Sequence, residues 1–90
     1  MLTPIYATQF RKDIKLCQKR GLKMQKLTAI MLLLEAETPL PPANKEHQLQ
    51  GDYNGSLECH IEPDWLLIYK PDKEAGELYF ARTGTHADLF

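Results

Sequence analysis

This chain has little cysteine, a single serine and no long apolar run, and each shortage closes off a class of function. Cys17 and Cys59 stand far apart, in what read as a helix and a strand, so they suit two small reduced core residues better than a disulfide or a zinc knuckle. Ser56 is the only serine and nothing around it marks an activated nucleophile, which excludes serine-based acyl transfer. The apolar stretch Ala29 to Leu34 is far too short to cross a bilayer. Met1-Leu2-Thr3-Pro4 carries no basic region leading into a hydrophobic segment, so a cytoplasmic protein without a membrane partner is expected. Glycine is sparse too, and Gly84 between Thr83 and Thr85 matches no nucleotide-binding fingerprint.

What is present is the composition of an ordinary globular domain, 43% hydrophobic and 26% charged over 90 residues, without repeats or low-complexity tracts. A chain of this length makes one domain, residues 1–90, with a modest core. The net charge of -1 hides an asymmetry. Residues 1–26 carry Arg11, Lys12, Lys15, Lys19, Arg20, Lys23 and Lys26 against the lone Asp13, whereas the remainder is strongly acidic. A basic helical segment in an acidic protein can dock on RNA phosphates or on an acidic protein partner, or simply be a solvated face.

Ile5-Tyr6-Ala7 reads as a short strand, and Thr8 as the cap of a helix whose Phe10, Ile14 and Cys17 recur at helical spacing. Lys12, Lys15 and Lys19 fall away from that stripe. Gly21 ends the first helix, and a second begins near Leu22 or Lys23 with Leu27, Ile30, Met31 and Leu34 on one side. Thr38-Pro39-Leu40-Pro41-Pro42 stops it, because proline lacks an amide proton and disfavours helical geometry in the residue before it. Extended runs follow at His47 to Gln50, Ser56 to Ile61, Trp65 to Lys70 and Glu77 to Thr83, joined by short turns that favour an antiparallel meander. Trp65-Leu66-Leu67-Ile68-Tyr69 is apolar on both faces and reads as the central strand. Strict alternation puts His60 on one face with Glu58, Cys59 and Ile61 on the other, and Arg82 with Leu78 and Phe80. The expected fold is α+β, an N-terminal helix hairpin packed on a small, mainly antiparallel twisted sheet.

The chemistry-bearing residues gather late in the chain: His60, Asp64, Arg82 and His86. An imidazole exchanges a proton near neutral pH, and a fixed guanidinium holds the charge that builds on a phosphodiester under attack. His60 and His86 are the candidate proton-transfer pair, Asp64 the group that orients one imidazole, and Arg82 the partner of the non-bridging oxygens. Taken singly, each has a plainer explanation. His60 suits a hydrogen-bonded strand histidine, Asp64 a turn residue after Pro63, and Arg82 a surface partner of Glu58 or Glu62 worth ~0.5 kcal/mol. Their joint occurrence points to RNA cleavage. Three histidines and an aspartate could also ligate zinc, but no compact histidine or cysteine pair is present, so neither a metal nor another cofactor is expected.

The segments His47-Gln48-Leu49-Gln50-Gly51, Glu58 through Tyr69 and Arg82 through Phe90 resemble YafQ-type toxins of the RelE/ParE superfamily, as do the basic helix Arg11 to Arg20 and Leu40-Pro41-Pro42. The resemblance implies a RelE-like fold and a ribosome-dependent mRNA endonuclease. Such a toxin cuts the codon in the A site and is held inactive by a DinJ-type antitoxin. It carries catalytic and substrate-positioning roles onto His47, His60, Asp64, Arg82, His86 and Phe90; Phe90 would stack on a base. For the antitoxin, acidic residues meeting Lys12, Lys15 and Lys19 are expected.

The sequence departs from the family where a Trp-Lys-Gly-Tyr-Arg-like run becomes Tyr53-Asn54-Gly55-Ser56-Leu57, keeping the glycine but losing two positive charges and one aromatic. Fewer phosphate contacts mean weaker binding to a polyanion. Two further readings follow: a catalytically weakened homologue acting mainly through its antitoxin, and a non-enzymatic inhibitor like the ParE branch, which binds gyrase and has no use for a histidine set.

Overall fold

A computed structural model describes residues 1–90 as a five-stranded sheet with two helices on one face. In chain order the elements are β1 (Thr3–Tyr6), α1 (Thr8–Lys19), α2 (Met24–Glu35), β2 (His47–Gln48), β3 (Leu57–Glu62), β4 (Trp65–Asp72), β5 (Glu77–Gly84) and α3 (His86–Leu89), with 3₁₀ turns at Pro42–Asn44 and Gly51–Tyr53. The strand order is β1-β5-β4-β3-β2, with β1 parallel to β5 and every other pairing antiparallel. This is the α+β architecture expected, with β4 at its centre.

Residue chemistry explains the helix ends. Gly21 adopts φ 76°, the left-handed conformation that costs a side chain-free residue little. The Gly21 N–H then reaches Gln18 O at 3.0 Å and the Leu22 N–H reaches Cys17 O at 3.1 Å, closing α1 with a Schellman motif. At the other end the expectation is corrected: Thr8 is the first helical residue and Ala7 the cap, with no side-chain cap bond. The backbone supplies the anchor instead, since the Ala7 N–H donates to Phe80 O and so ties the helix start to β5.

The main core lies between the sheet and the helices. Leu2, Phe10, Cys17, Leu27, Ile30 and Leu34 meet Cys59, Trp65, Leu67, Tyr69, Leu78 and Phe80 there. Tyr6, Phe10 and Phe80 stack with ring centroids 5.5–5.9 Å apart, joining β1, α1 and β5. Such pairs add about 0.5–1.5 kcal/mol each beyond the area they bury. Both cysteines are free and buried, and burial pushes the Cys59 thiol up to about 12, so neither is a reactive thiolate. On the opposite face the cover is thin: Leu66, Ile68 and Leu89, flanked by Leu49, Tyr53 and Ala81.

One irregularity matters for the site. Tyr69 pairs with Phe80 and Ile68 with Arg82, which leaves Ala81 as the extra residue of a bulge in β5. Arg82 therefore does not share a face with Leu78 and Phe80, as strict alternation predicts. The bulge moves it to the thinly covered face, beside Ile68.

Candidate active site

Cross-strand register assembles the site on that face. His47 on β2 lies opposite Glu58 on β3, Glu58 opposite Ile68, and Ile68 opposite Arg82, forming one row across four strands. His60 lies opposite Leu66, and Leu66 opposite Gly84, forming the next row, which leads into Thr85 and His86. Glu58 and His60 share this face while Cys59 and Ile61 turn to the helix-side core, as alternation requires.

The three imidazoles are neighbours. The ring centroids of His47 and His60 are 6.4 Å apart, and those of His60 and His86 are 5.7 Å apart. Asp64, in the β3–β4 turn, accepts from the backbone N–H of His86 at 3.0 Å and holds its Nδ1 at 2.6 Å. These bonds, led by the backbone one, hold the Asp64 carboxyl below its ordinary range. With Nδ1 engaged, Nε2 of His86 is the nitrogen presented to a substrate. His47 Nδ1 is satisfied by Lys45 O at 2.8 Å, and Asn44 Nδ2 donates to the carbonyl of His60 at 2.7 Å. A groove of about 370 Å³ lined by Asn44, Lys45, His60, Glu62 and Pro63 opens beside His60.

The segment after β5 is placed by its own caps. Thr85 and Asp88 form a capping box for α3, Leu89 packs on Leu66 and Ile68, and Arg20 reaches from the end of α1 to Asp88 at 2.5 and 3.1 Å. Thr83 Oγ1 accepts from Trp65 Nε1 at 2.9 Å and donates to Leu66 O at 2.7 Å, locking β5 to β4 just before His86. Phe90 is largely exposed and meets Tyr53 edge-on, with centroids 5.8 Å apart.

Arg82 pairs with neither Glu58 nor Glu62. Its Nε and Nη2 donate to Asp13 on α1, at 2.8 and 3.2 Å, and this bonding raises its already high pKa. Lys12, Lys15 and Lys19 are exposed, because α1 turns its Phe10–Asp13–Cys17 side to the sheet. They sit on a different surface from the histidines.

Two acids stand in the site that the sequence did not assign to it. Glu58 is buried, with Oε1 3.3 Å from His47 Nε2 and 3.6 Å from His60 Nε2. Its signal was the shared strand face with His60. Asp13 is also buried, and its signal was an acid at a core position of the α1 stripe. Leu57 faces the other way. It packs on the helix-side core and lines a pocket of about 290 Å³ with Leu2, Leu34, Tyr69 and Leu78. A charge at position 57 would start on the face opposite the histidines.

Comparison with known proteins agrees with this geometry. The family described as the bacterial toxin of type II toxin-antitoxin system, YafQ, matches residues 2–90. The mRNA interferase toxin YafQ of Escherichia coli K12 is 51% identical over 86 residues, covering 94% of this chain and 91% of that protein. The crystal structure of YafQ from E. coli BL21(DE3) superposes with a TM-score of 0.93 at 47% identity, covering 100% of this chain and 99% of that one. A chain of the E. coli DinJ-YafQ toxin-antitoxin complex superposes with a TM-score of 0.89 at 48% identity, over 99% of this chain and 97% of that one. With a matching family over nearly its whole length and the same fold, the chain belongs to the YafQ family of bacterial toxins of type II toxin-antitoxin systems.

Proposed function

We propose that this protein is an mRNA interferase, an endoribonuclease that cuts mRNA in the ribosomal A site by attack of the ribose 2′-OH on the adjacent phosphodiester. The observation that carries the reading is the pairing of His60 with His86 at 5.7 Å between rings, with Asp64 fixing His86 through Nδ1. One imidazole takes the 2′-OH proton as O2′ bonds to phosphorus. The P–O5′ bond breaks, the other imidazole protonates the departing 5′-oxygen, and a 2′,3′-cyclic phosphate remains. Asp64 stays ionised and keeps Nε2 of His86 aimed outward. Arg82 holds the non-bridging oxygens, whose charge grows in the transition state. His47 borders His60 and helps to position substrate, and Phe90, exposed beside Tyr53, offers a face on which a base can stack.

Lys12, Lys15 and Lys19 form the basic surface for the polyanionic ribosome and for the acidic residues of a DinJ-like antitoxin. Charge reversal of all three should weaken the antitoxin complex and make its affinity less sensitive to salt; an unchanged dissociation constant rejects that contact.

The cutting reaction is tested by primer extension on mRNA with and without translating ribosomes, with a 2′-deoxy nucleotide at the cut position as control. Cuts within codons that need ribosomes and vanish with the deoxy substitution establish the reaction. Cuts that survive the deoxy substitution reject 2′-OH attack, and intact mRNA rejects the nuclease reading.

A further inference from the structure

The geometry points to Asp13 as a positioning residue for RNA cleavage: from α1 it holds the Arg82 guanidinium in one orientation, so that its free edge is ready for a phosphate. The inference rests on the reading of Arg82 as the phosphate-binding group.

Three observations carry it. First, β1 pairs with β5 only over Thr3–Tyr6 against Glu77–Phe80, so on its outer edge, away from β4, β5 has no neighbouring strand where it carries Arg82. Asp13 fills that gap, and its Oδ2 accepts the backbone N–H of Thr83 at 3.1 Å, a bond that a strand would otherwise supply. Second, the carboxylate is 6% exposed and fully engaged. Oδ1 takes Gln9 Nε2 at 3.1 Å and Arg82 Nη2 at 3.2 Å, while Oδ2 takes Arg82 Nε at 2.8 Å as well as the Thr83 N–H. A buried charge with every lone pair occupied has one geometry available to it. Third, the contact on Arg82 is side-on. Using Nε and the inner hydrogen of Nη2 leaves both Nη1 hydrogens and the outer Nη2 hydrogen outside the Asp13 contact, on an edge that Tyr53 also approaches, and that outer edge is the fork that pairs with two phosphate oxygens.

A long arginine side chain otherwise samples many rotamers, and the bulge at Ala81 sets only its starting direction. Asp13 supplies the rest of the constraint. It acts through Arg82 and need not touch RNA.

The test compares wild type, Asp13→Asn, Arg82→Ala and the double variant in ribosome-dependent single-turnover cleavage, each checked for folding. The Asn side chain keeps an acceptor for Thr83 but loses the charge that fixes the guanidinium. Asp13→Asn should slow cleavage about tenfold to a hundredfold, the scale of an ångström misplacement. It should cost nothing further in the Arg82→Ala background, because its effect runs through that side chain. A merely structural role would slow both backgrounds equally and would overturn the inference, as would full activity of Asp13→Asn. Unimpaired cleavage by Arg82→Ala would overturn the role of Arg82 itself, and absence of cutting by wild type the nuclease reading. A second measurement needs no variant. Nitrogen-detected NMR of wild type should show a resolved Arg82 Nε–H protected from exchange, and a signal averaged like that of free arginine would overturn the inference.

Discussion

The two faces of the sheet are built on different principles. The helix-covered face buries twelve residues in one cluster drawn from all but the smallest elements, and its contacts are almost wholly apolar. The only apolar side chains buried in the cluster on the other face are Leu66, Ile68 and Leu89, and the rest of its order comes from polar contacts: Asp64 with His86, the buried Glu58 between His47 and His60, Asp13 with Arg82, and Asp88 with Thr85 and Arg20. Apolar packing is non-directional and accumulates with area, so it supplies stability. Hydrogen bonds to ionised groups are directional and individually modest in net energy, so they supply aim. The protein keeps the two tasks on opposite sides of β4.

The largest effect that tests this division is on rate. His86→Ala removes the imidazole proposed to transfer a proton, a side chain about half exposed, so cleavage should fall about 10²–10⁴-fold while the melting temperature barely moves. Unfolding of this variant would show that the site face carries stability after all. The converse is Phe10→Ala, which empties a fully buried site in the aromatic stack and should cost about 3–5 kcal/mol of unfolding free energy, read from urea denaturation. A cost below ~1 kcal/mol would mean that the helix-side core can collapse around the cavity.

The same contrast explains what was legible in the sequence. The helix-side core follows from periodicity: Phe10, Cys17, Leu27, Ile30 and Leu34 recur at helical spacing, and the doubly apolar run Trp65–Tyr69 marks the centre of the sheet. His60, Asp64 and His86 were legible as a candidate cluster, and the structure brings their side chains together. The surroundings of Arg82 were not legible. Alternation counts residues without knowing that Ala81 is extra, so one bulge sends Arg82 to the other face. Asp13 interrupts an apolar stripe for a reason that lies 69 residues away, on β5. The short α3 was missed, because four residues give no periodicity to announce a helix, although Thr85 and Asp88 have capping-box spacing.

An intermediate effect separates orientation from proton transfer. Asp64→Asn keeps a side-chain acceptor for the His86 amide but removes the charge facing Nδ1, so it should slow cleavage about tenfold to a hundredfold, less than loss of the imidazole itself. Equal losses for Asp64→Asn and His86→Ala would make the carboxylate a direct participant and blur the line between aiming and reacting groups.

The smallest effect concerns the clasp that holds His86 in place. Asp88 accepts from Arg20 and from the Thr85 N–H, and these bonds, with that of Arg20 the strongest, keep its carboxyl far below the usual range. A depressed folded-state pKa contributes stability that is fully present above the unfolded value of about 3.9 and is lost as pH falls through the folded one. The clasp is therefore closed across the neutral and mildly acidic range and opens only in strong acid. Asp88→Asn should lower the melting temperature slightly at pH 6 and converge on wild type as the medium becomes strongly acidic. The difference at pH 6 should shrink in high salt, because the Arg20 side chain is 39% exposed. Gly84→Ala attacks the same clasp without touching charge. An added Cβ would sit 2.8 Å from Asp88 Oδ2 and 3.1 Å from its Cβ, so the Asp88 side chain must give way, the clasp on α3 is disturbed, and cleavage should fall at every pH. If Gly84→Ala cuts as well as wild type while Asp88→Asn does not, charge rather than the placement of α3 is what the site face needs from Asp88.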